Sequence, residues 1–167
     1  MPRGRRSCQT GAVPVLLIRH AHAGSRRDSH VPDRARRLSA KGLKQAQSLV
    51  ATLEGFAPQR IVSSPAVRCL ETVAPLAKAF QVKVEGDEVL AEGSGLSALT
   101  LVRRVANEKI ALCTHGDVIP EILVALADED HLDLGSSPRQ AKGSVWVLEA
   151  EENRFVKAFY LPPADGR

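Results

Sequence analysis

The sequence predicts an α/β fold, a three-layer α/β/α sandwich with a mostly parallel central sheet and an antiparallel C-terminal hairpin. Three observations carry that prediction. The runs Val13-Pro14-Val15-Leu16-Leu17-Ile18 and Lys109-Ile110-Ala111-Leu112-Cys113 read as strands buried on both faces, as in a parallel sheet. Amphipathic helical stretches alternate with such runs through most of the chain. Finally, Ser144–Ala150 and Arg154–Tyr160 flank Glu151-Glu152-Asn153, the pattern of an antiparallel hairpin at the sheet's end.

In chain order, residues 1–12 read as a disordered basic tail and residues 13–162 as one domain. At 167 residues the chain is long enough to bury a substantial core without staples. After the first strand, residues 21–38 form a polar, arginine-rich loop. Ser39 is placed to cap a helix whose apolar positions are Leu43, Ala46, Leu49, Val50 and Leu53, with Gly55 just past its end. Arg60-Ile61-Val62 reads as a short strand. Ser64 is the expected cap of the next helix, with Pro65 at its first position. That helix should turn Val67, Leu70, Val73 and Leu76 inward, and Pro75 should kink or interrupt it. Val82–Val84 and Val89-Leu90 give weaker strand signals. Helices are expected over 96–106 and about 117–127.

Composition narrows the class. Hydrophobic residues make up 44% and charged residues 25%, ordinary values for a soluble globular protein. Cys8, Cys69 and Cys113 include no CxxC pair, which argues against a disulfide framework and fits a reducing, cytoplasmic setting. No apolar run reaches membrane-spanning length, and the arginines of the N-terminus precede no apolar signal core.

The net charge of +4 conceals an asymmetry. Residues 1–44 hold 11 Lys/Arg against two Asp, whereas residues 45–167 hold 12 Lys/Arg against 17 Asp/Glu. Arg3, Arg5 and Arg6 read most simply as a solvated tail. The arginines of 26–37 read as a positive approach to a small phosphorylated substrate. Nucleic acid is a poorer fit, because aromatic residues for base stacking are only 4% of the chain.

Three strand ends present the same kinds of group: Arg19-His20, Ser63-Ser64-Pro65-Ala66-Val67-Arg68, and Thr114-His115-Gly116. A parallel sheet brings such ends to one edge. Two arginines and two histidines there would surround a tetrahedral anion with charge-assisted donors, helped by the N-terminal amides of the helix that carries Arg68.

In order and spacing these segments resemble the histidine phosphatase superfamily, the phosphoglycerate-mutase-like proteins. Arg19-His20-Ala21 is similar to its RHG motif and Ser64-Pro65-Ala66-Val67-Arg68-Cys69-Leu70-Glu71-Thr72 to its S-P-x-x-R-x-x-E/Q-T helix. Thr114-His115-Gly116 matches the S/T-H-G motif, and Arg37-Leu38-Ser39-Ala40-Lys41-Gly42 the start of the first helix. The resemblance implies that His20 attacks phosphorus while Arg19, Arg68 and His115 hold the phosphoryl oxygens. It also implies a general acid after the second arginine. Leu90-Ala91-Glu92-Gly93 offers Glu92, and Asp117 competes. A neighbouring phosphate favours the protonated carboxyl that such an acid needs.

Two departures stand out: Ala21 replaces the usual glycine, and His22 and Arg26 occupy substrate-loop positions where mutase-type members carry other residues. The short chain looks more like SixA-type phosphohistidine phosphatases, and like phosphatase domains fused behind Nudix domains. The resemblance therefore implies a phosphorylated protein histidine or a small phosphorylated metabolite as partner, with no cofactor and no metal.

Other classes are weighed on the same residues. His20-Ala21-His22 with Asp28, His30 or His115 recruited would be a metal hydrolase, although no recognised ligand spacing emerges. A cysteine phosphatase needs an arginine six residues after its cysteine, and positions 14, 75 and 119 are Pro, Pro and Ile. A phosphate-binding module without turnover would use the same Arg19 and Arg68.

Overall fold

The first apolar run becomes strand β1, Val15–Arg19, whose residues 15–18 are at most 1% exposed. The structure is a computed structural model describing residues 11–136 and 138–164. Residues 1–10 of the expected tail, with Cys8, lie outside the described residues. From β1 the chain runs through α1 (Ala40–Leu53), β2 (Arg60–Ser63), α2 (Val67–Phe80) and β3 (Val84–Gly86). It continues through α3 (Gly95–Arg104), β4 (Ile110–Thr114), α4 (Val118–Asp130), β5 (Val145–Glu151) and β6 (Arg154–Leu161).

One sheet has the order β3-β2-β4-β1-β5-β6. The first four strands are parallel, and β5 and β6 complete it antiparallel. Alternation along β1 divides the core. Val15 and Leu17 face α3 and α4, while Leu16 and Ile18 face α1 and α2. The three-layer architecture follows from that alternation. At the β5–β6 turn both Glu152 and Asn153 have positive φ, which suits the right-handed twist of a tight hairpin.

The sheet register makes the site. Arg19 pairs with Thr114, so β1 and β4 end level, and His20 N donates to Thr114 O at 3.0 Å. Ser63 pairs with Cys113 and brings the end of β2 to the same edge.

Several local expectations need correction. Leu43 is 54% exposed, because the buried face of α1 runs through Gly42, Gln45, Ala46, Leu49 and Leu53. Gly42 lies there because α1 presses on the backbone of His22, where a Cβ would come within 2.0 Å of the His22 carbonyl oxygen. Ser64 does not cap α2, whose N-cap is Ala66. Its hydroxyl is held by His115. The buried face of α2 is Arg68, Cys69, Thr72, Val73 and Leu76, with Val67 and Leu70 only half-buried. Pro75 does not interrupt α2, which continues to Phe80. A helix-interior proline costs about 3 kcal/mol, and burial of Val73 and Leu76 on the sheet offsets it. The third strand is Val84–Gly86 rather than 82–84, and Val89-Leu90 lie in a 3₁₀ turn, Glu88–Leu90, capped by Asp87. Among the described residues no helix is long and apolar enough to cross a membrane.

Candidate active site

His20 leaves β1 into a loop pinned to both helices of one layer, α1 and α2. Ala21 N donates to Thr72 Oγ1 of α2 at 2.9 Å, and the Thr72 hydroxyl donates to Arg68 O at 2.6 Å. One residue on, His22 N donates to Gln45 Oε1 of α1, and Ser39 N donates to His22 O. The backbone around His20 is thus fixed by residues of α1 and α2.

The His20 ring is oriented by its own neighbour. Nδ1 lies 2.8 Å from the Ala21 carbonyl oxygen. A carbonyl can only accept, so Nδ1 carries the proton and Nε2 keeps its lone pair. Burial lowers the His20 pKa to about 3, against the bond to Ala21, which raises it, and the charges of Arg68, His115 and Arg19 push in the same direction as burial. His20 is held as a neutral base.

The other groups converge as expected. The His115 ring centroid lies 5.4 Å from that of His20. Its Nε2 is 2.8 Å from Ser64 Oγ and its Nδ1 3.3 Å from Arg68 Nη2. A guanidinium only donates, so His115 Nδ1 accepts and Nε2–H donates to Ser64. Arg68 is 1% exposed. Its Nη2 bonds Asp33 Oδ2 and Glu92 Oε1, both at 3.0 Å, and its Nη1 bonds Asp33 O. Arg19 donates through Nη1 to Gln140 O and lies flat against Gly116, where a Cβ would approach its Cζ to 2.6 Å. Among the described residues, Nε of Arg19 and Nε of Arg68 are buried without a hydrogen-bond partner. Buried donors left unpaired are costly and are tolerated mainly at functional sites.

Both carboxyl candidates reach the cleft. Glu92 bonds Arg68 and also Arg26 Nη2 at 2.9 Å. Asp117 lines the same cleft, but its Oδ2 accepts from Gly93 N at 2.7 Å. The arrangement places an unprotonated imidazole nitrogen, two guanidiniums, a second imidazole and a carboxyl close together, groups that can surround a phosphoryl group.

Comparison with known proteins identifies the family. Residues 15–97 match the family model for the histidine phosphatase superfamily, branch 1. The chain belongs to the histidine phosphatase superfamily. It is 31% identical over 159 residues to an 8-oxo-(d)GTP phosphatase of Mycolicibacterium smegmatis, an alignment that covers 90% of this chain and 48% of that protein. The chain therefore spans about half the length of this curated relative. Among solved structures, a SixA protein from Nakamurella multipartitia has a TM-score of 0.72 at 24% identity, covering 92% of this chain and 98% of that one. A mycobacterial glucosyl-3-phosphoglycerate phosphatase has a TM-score of 0.67 at 17% identity, covering 90% and 97%. These likenesses show the shared fold.

Within the superfamily pattern, the departure at Ala21 is accommodated without strain. Its φ is not positive, and its methyl group is buried with Ala23, Leu38 and Ala46. His22 lines the cleft while Nδ1 lies 2.7 Å from Ser39 Oγ. Arg26, with a side chain 63% exposed, bridges Asp33 and Glu92 across the cleft mouth. The structure does not gather His20 and His22 with Asp28, His30 or His115 into a ligand set. Among the described residues no three His, Cys, Asp or Glu side chains are grouped closely enough to hold a metal ion.

The histidine phosphatase motifs do not include three residues that the fold adds. Asp33 binds Arg68, Arg36 and Arg26 at once. Burial would raise its pKa, but the bond from Arg36 and the charges of Arg68, Arg36 and Arg26 outweigh that and hold it low. Arg36 and Lys142 line the cleft beside His20 and His22. Asp33 and Arg36 lie in the loop already read as arginine-rich, so charge alone pointed towards them. Nothing in the sequence pointed to Lys142. It reaches the site because Gly143 N donates to Arg19 O and His20 O, which folds the segment before β5 over the end of β1.

Proposed function

We propose that this chain removes a phosphoryl group by hydrolysis from phosphomonoesters, protein phosphohistidine or small phosphorylated metabolites through a phosphohistidine intermediate on His20. The reading rests on one observation above the rest: the Ala21 carbonyl fixes the proton on Nδ1 and so aims an unprotonated Nε2 at the cleft. The Nε2 lone pair attacks phosphorus, and the P–O bond to the leaving group breaks in line. Arg19 and Arg68 hold non-bridging oxygens and match the charge that spreads over them, and His115 joins them once its Nδ1 takes up a proton in place of the bond from Arg68. Glu92, in its acid form, gives its proton to the departing oxygen. Its carboxylate then takes a proton from water as that water attacks phosphorus, the P–N bond breaks, and phosphate leaves.

Two substrate classes fit. Phosphohistidine on a protein is supported by the SixA-like fold. A nucleotide or another small phosphorylated metabolite is favoured by a specific observation, the 31% identity to the 8-oxo-(d)GTP phosphatase over nearly the whole chain.

Trapping tests the mechanism. The wild-type protein, quenched during turnover of p-nitrophenyl phosphate, should carry an acid-labile, base-stable phosphoryl group that His20→Asn lacks. An acid-stable adduct, or undiminished turnover by His20→Asn, overturns the phosphohistidine. Binding of vanadate without turnover by the wild type would mark a phosphate-binding module instead. A kinetic ranking of phosphorylated HPr-like proteins against nucleotides and sugar phosphates chooses between the substrate classes.

A further inference from the structure

The phosphoryl clamp does not use all the positive charge in the cleft. The cleft measures about 730 Å³, inside the range of about 300–1,000 Å³ that holds drug-sized ligands. That is far more room than one phosphoryl group needs. Four cations line it (Arg19, Arg26, Arg36 and Lys142) against two carboxylates, Glu92 and Asp117. Of these cations only Arg19 belongs to the clamp around His20.

The remaining three differ in how they are held. Arg26 is neutralised by Asp33 and Glu92 at the mouth. Arg36 is almost fully buried, with Nε on Asp33 Oδ1 and Nη1 on Ala23 O, both at 2.9 Å. Two bonds fix its plane and leave Nη2 without a hydrogen-bond partner among the described residues. Lys142 is half-buried and pairs with no carboxylate among the described residues. Its pKa is lowered by burial first and then by the charges of Arg19, Arg36 and Arg68. A partly desolvated ammonium that shares its cleft with Arg19 and Arg36 is a costly local arrangement, and a second anion placed among them would relieve it.

We infer that Lys142 and Arg36 form a second anion subsite beside the His20 clamp, one that receives a phosphate in the leaving group of the substrate. The preferred substrate is then a compound carrying two linked phosphates, such as a nucleoside diphosphate, whose terminal phosphoryl group goes to His20 while the other phosphate leaves on the Lys142 side. The inference rests on the phosphoryl-transfer reading of the same cleft. It adds what stands on the far side of the bond that breaks. Arg36 supplies a donor in a fixed direction and Lys142 a mobile charge, so the pair can follow a leaving group as it departs.

Equilibrium binding tests the subsite without requiring turnover. Calorimetric titration of the full chain with inorganic pyrophosphate and with orthophosphate should show pyrophosphate bound at least tenfold more tightly. In Lys142→Gln that preference should fall to about twofold or less. A wild type without the preference, or a Lys142→Gln that keeps it, overturns the subsite. Turnover supplies a second readout. In Lys142→Gln, kcat/KM for a nucleoside diphosphate should fall at least tenfold further than kcat/KM for p-nitrophenyl phosphate. Equal losses on the two substrates would place Lys142 in the clamp and overturn the assignment. Dependence on Lys142 for 3-phosphoglycerate alone would overturn the second phosphate in favour of a carboxylate. Because binding is measured on its own, failure of the phosphohistidine trap leaves this result interpretable.

Discussion

Glu92 Oε1 lies 3.0 Å from Arg68 Nη2 and 3.6 Å from His115 Nδ1, so the carboxylate sits against the guanidinium and the imidazole of the proposed anion clamp. With Asp33 on the same guanidinium, it satisfies the cation in the absence of another anion. A phosphoryl group entering the clamp must displace at least one carboxylate from Arg68. In the proposed mechanism the displaced Glu92 is the group that protonates the leaving oxygen.

Glu92→Gln should therefore affect poor leaving groups most. Proton transfer by a positioned acid contributes roughly 100-fold or more. The variant should lose about that factor in kcat on an alkyl phosphate and much less on p-nitrophenyl phosphate. Asp117→Asn is the control that separates the two carboxyls. If it shows the leaving-group dependence and Glu92→Gln does not, Asp117 is the acid.

His20 ties stability to pH. Its imidazole protonates near pH 6.5 in the unfolded chain and only near 3 in the fold, because it is buried among cations. On acidification the unfolded state takes up a proton that the native state refuses, so stability falls as pH drops below about 6.5. The loss levels off below about 3. A melting series should show Tm declining more steeply between pH 6.5 and 4 in the wild type than in His20→Asn. Parallel declines would contradict a neutral, buried His20.

Gly116→Ala places a methyl group where the Arg19 guanidinium now lies. The guanidinium is the end of a flexible side chain, so the fold can survive by moving it. Misplacing a catalytic group by about 1 Å can cost roughly 100-fold. The expected result is a loss of 10- to 100-fold in kcat/KM with Tm nearly unchanged, checked by kinetics and a thermal melt. Retained kcat/KM would show that Arg19 is not needed where the structure holds it.

Ala21 and Gly42 make opposite predictions about a methyl group. Ala21→Gly removes one that is buried against Ala23, Leu38 and Ala46, and frees the backbone in the unfolded chain, so it should destabilise by about 1–2 kcal/mol. Gly42→Ala adds one against the His22 carbonyl, backbone that α1 and Ser39 already hold. It should destabilise by about 1–3 kcal/mol. Denaturant unfolding measures both, and a stabilised Gly42→Ala would mean that α1 can move away from His22 freely.

Much of this was legible along the chain. Buried runs with sharp polar ends mark β1 and β4, because a strand covered on both faces must be apolar until it reaches the sheet edge. The hairpin was equally plain from its turn. The superfamily motifs named Arg19, His20, Arg68 and His115 in order, and Leu38-Ser39-Ala40-Lys41-Gly42 acquires a physical meaning as a capped helix start pressed on His22. The misreadings are local. Ser64 looked like a helix cap because caps and histidine partners are both hydroxyls. Pro75 looked like a break because propensity ignores what burial on a sheet contributes.

The sequence by itself determined the layer order, the strand ends that meet, and the kinds of group delivered there, since periodicity and strand-end chemistry are properties of neighbours along the chain. Tertiary structure alone decided which nitrogen of His20 is free, which carboxylates hold Arg68, and that Lys142 joins the cleft from a segment more than a hundred residues after His20. Those facts depend on distances of about 3 Å, between residues remote in sequence for Arg68 and Lys142 and, for His20, to the carbonyl of Ala21, which Thr72 holds in place, and hydrogen-bond direction and charge pairing are set only at that range.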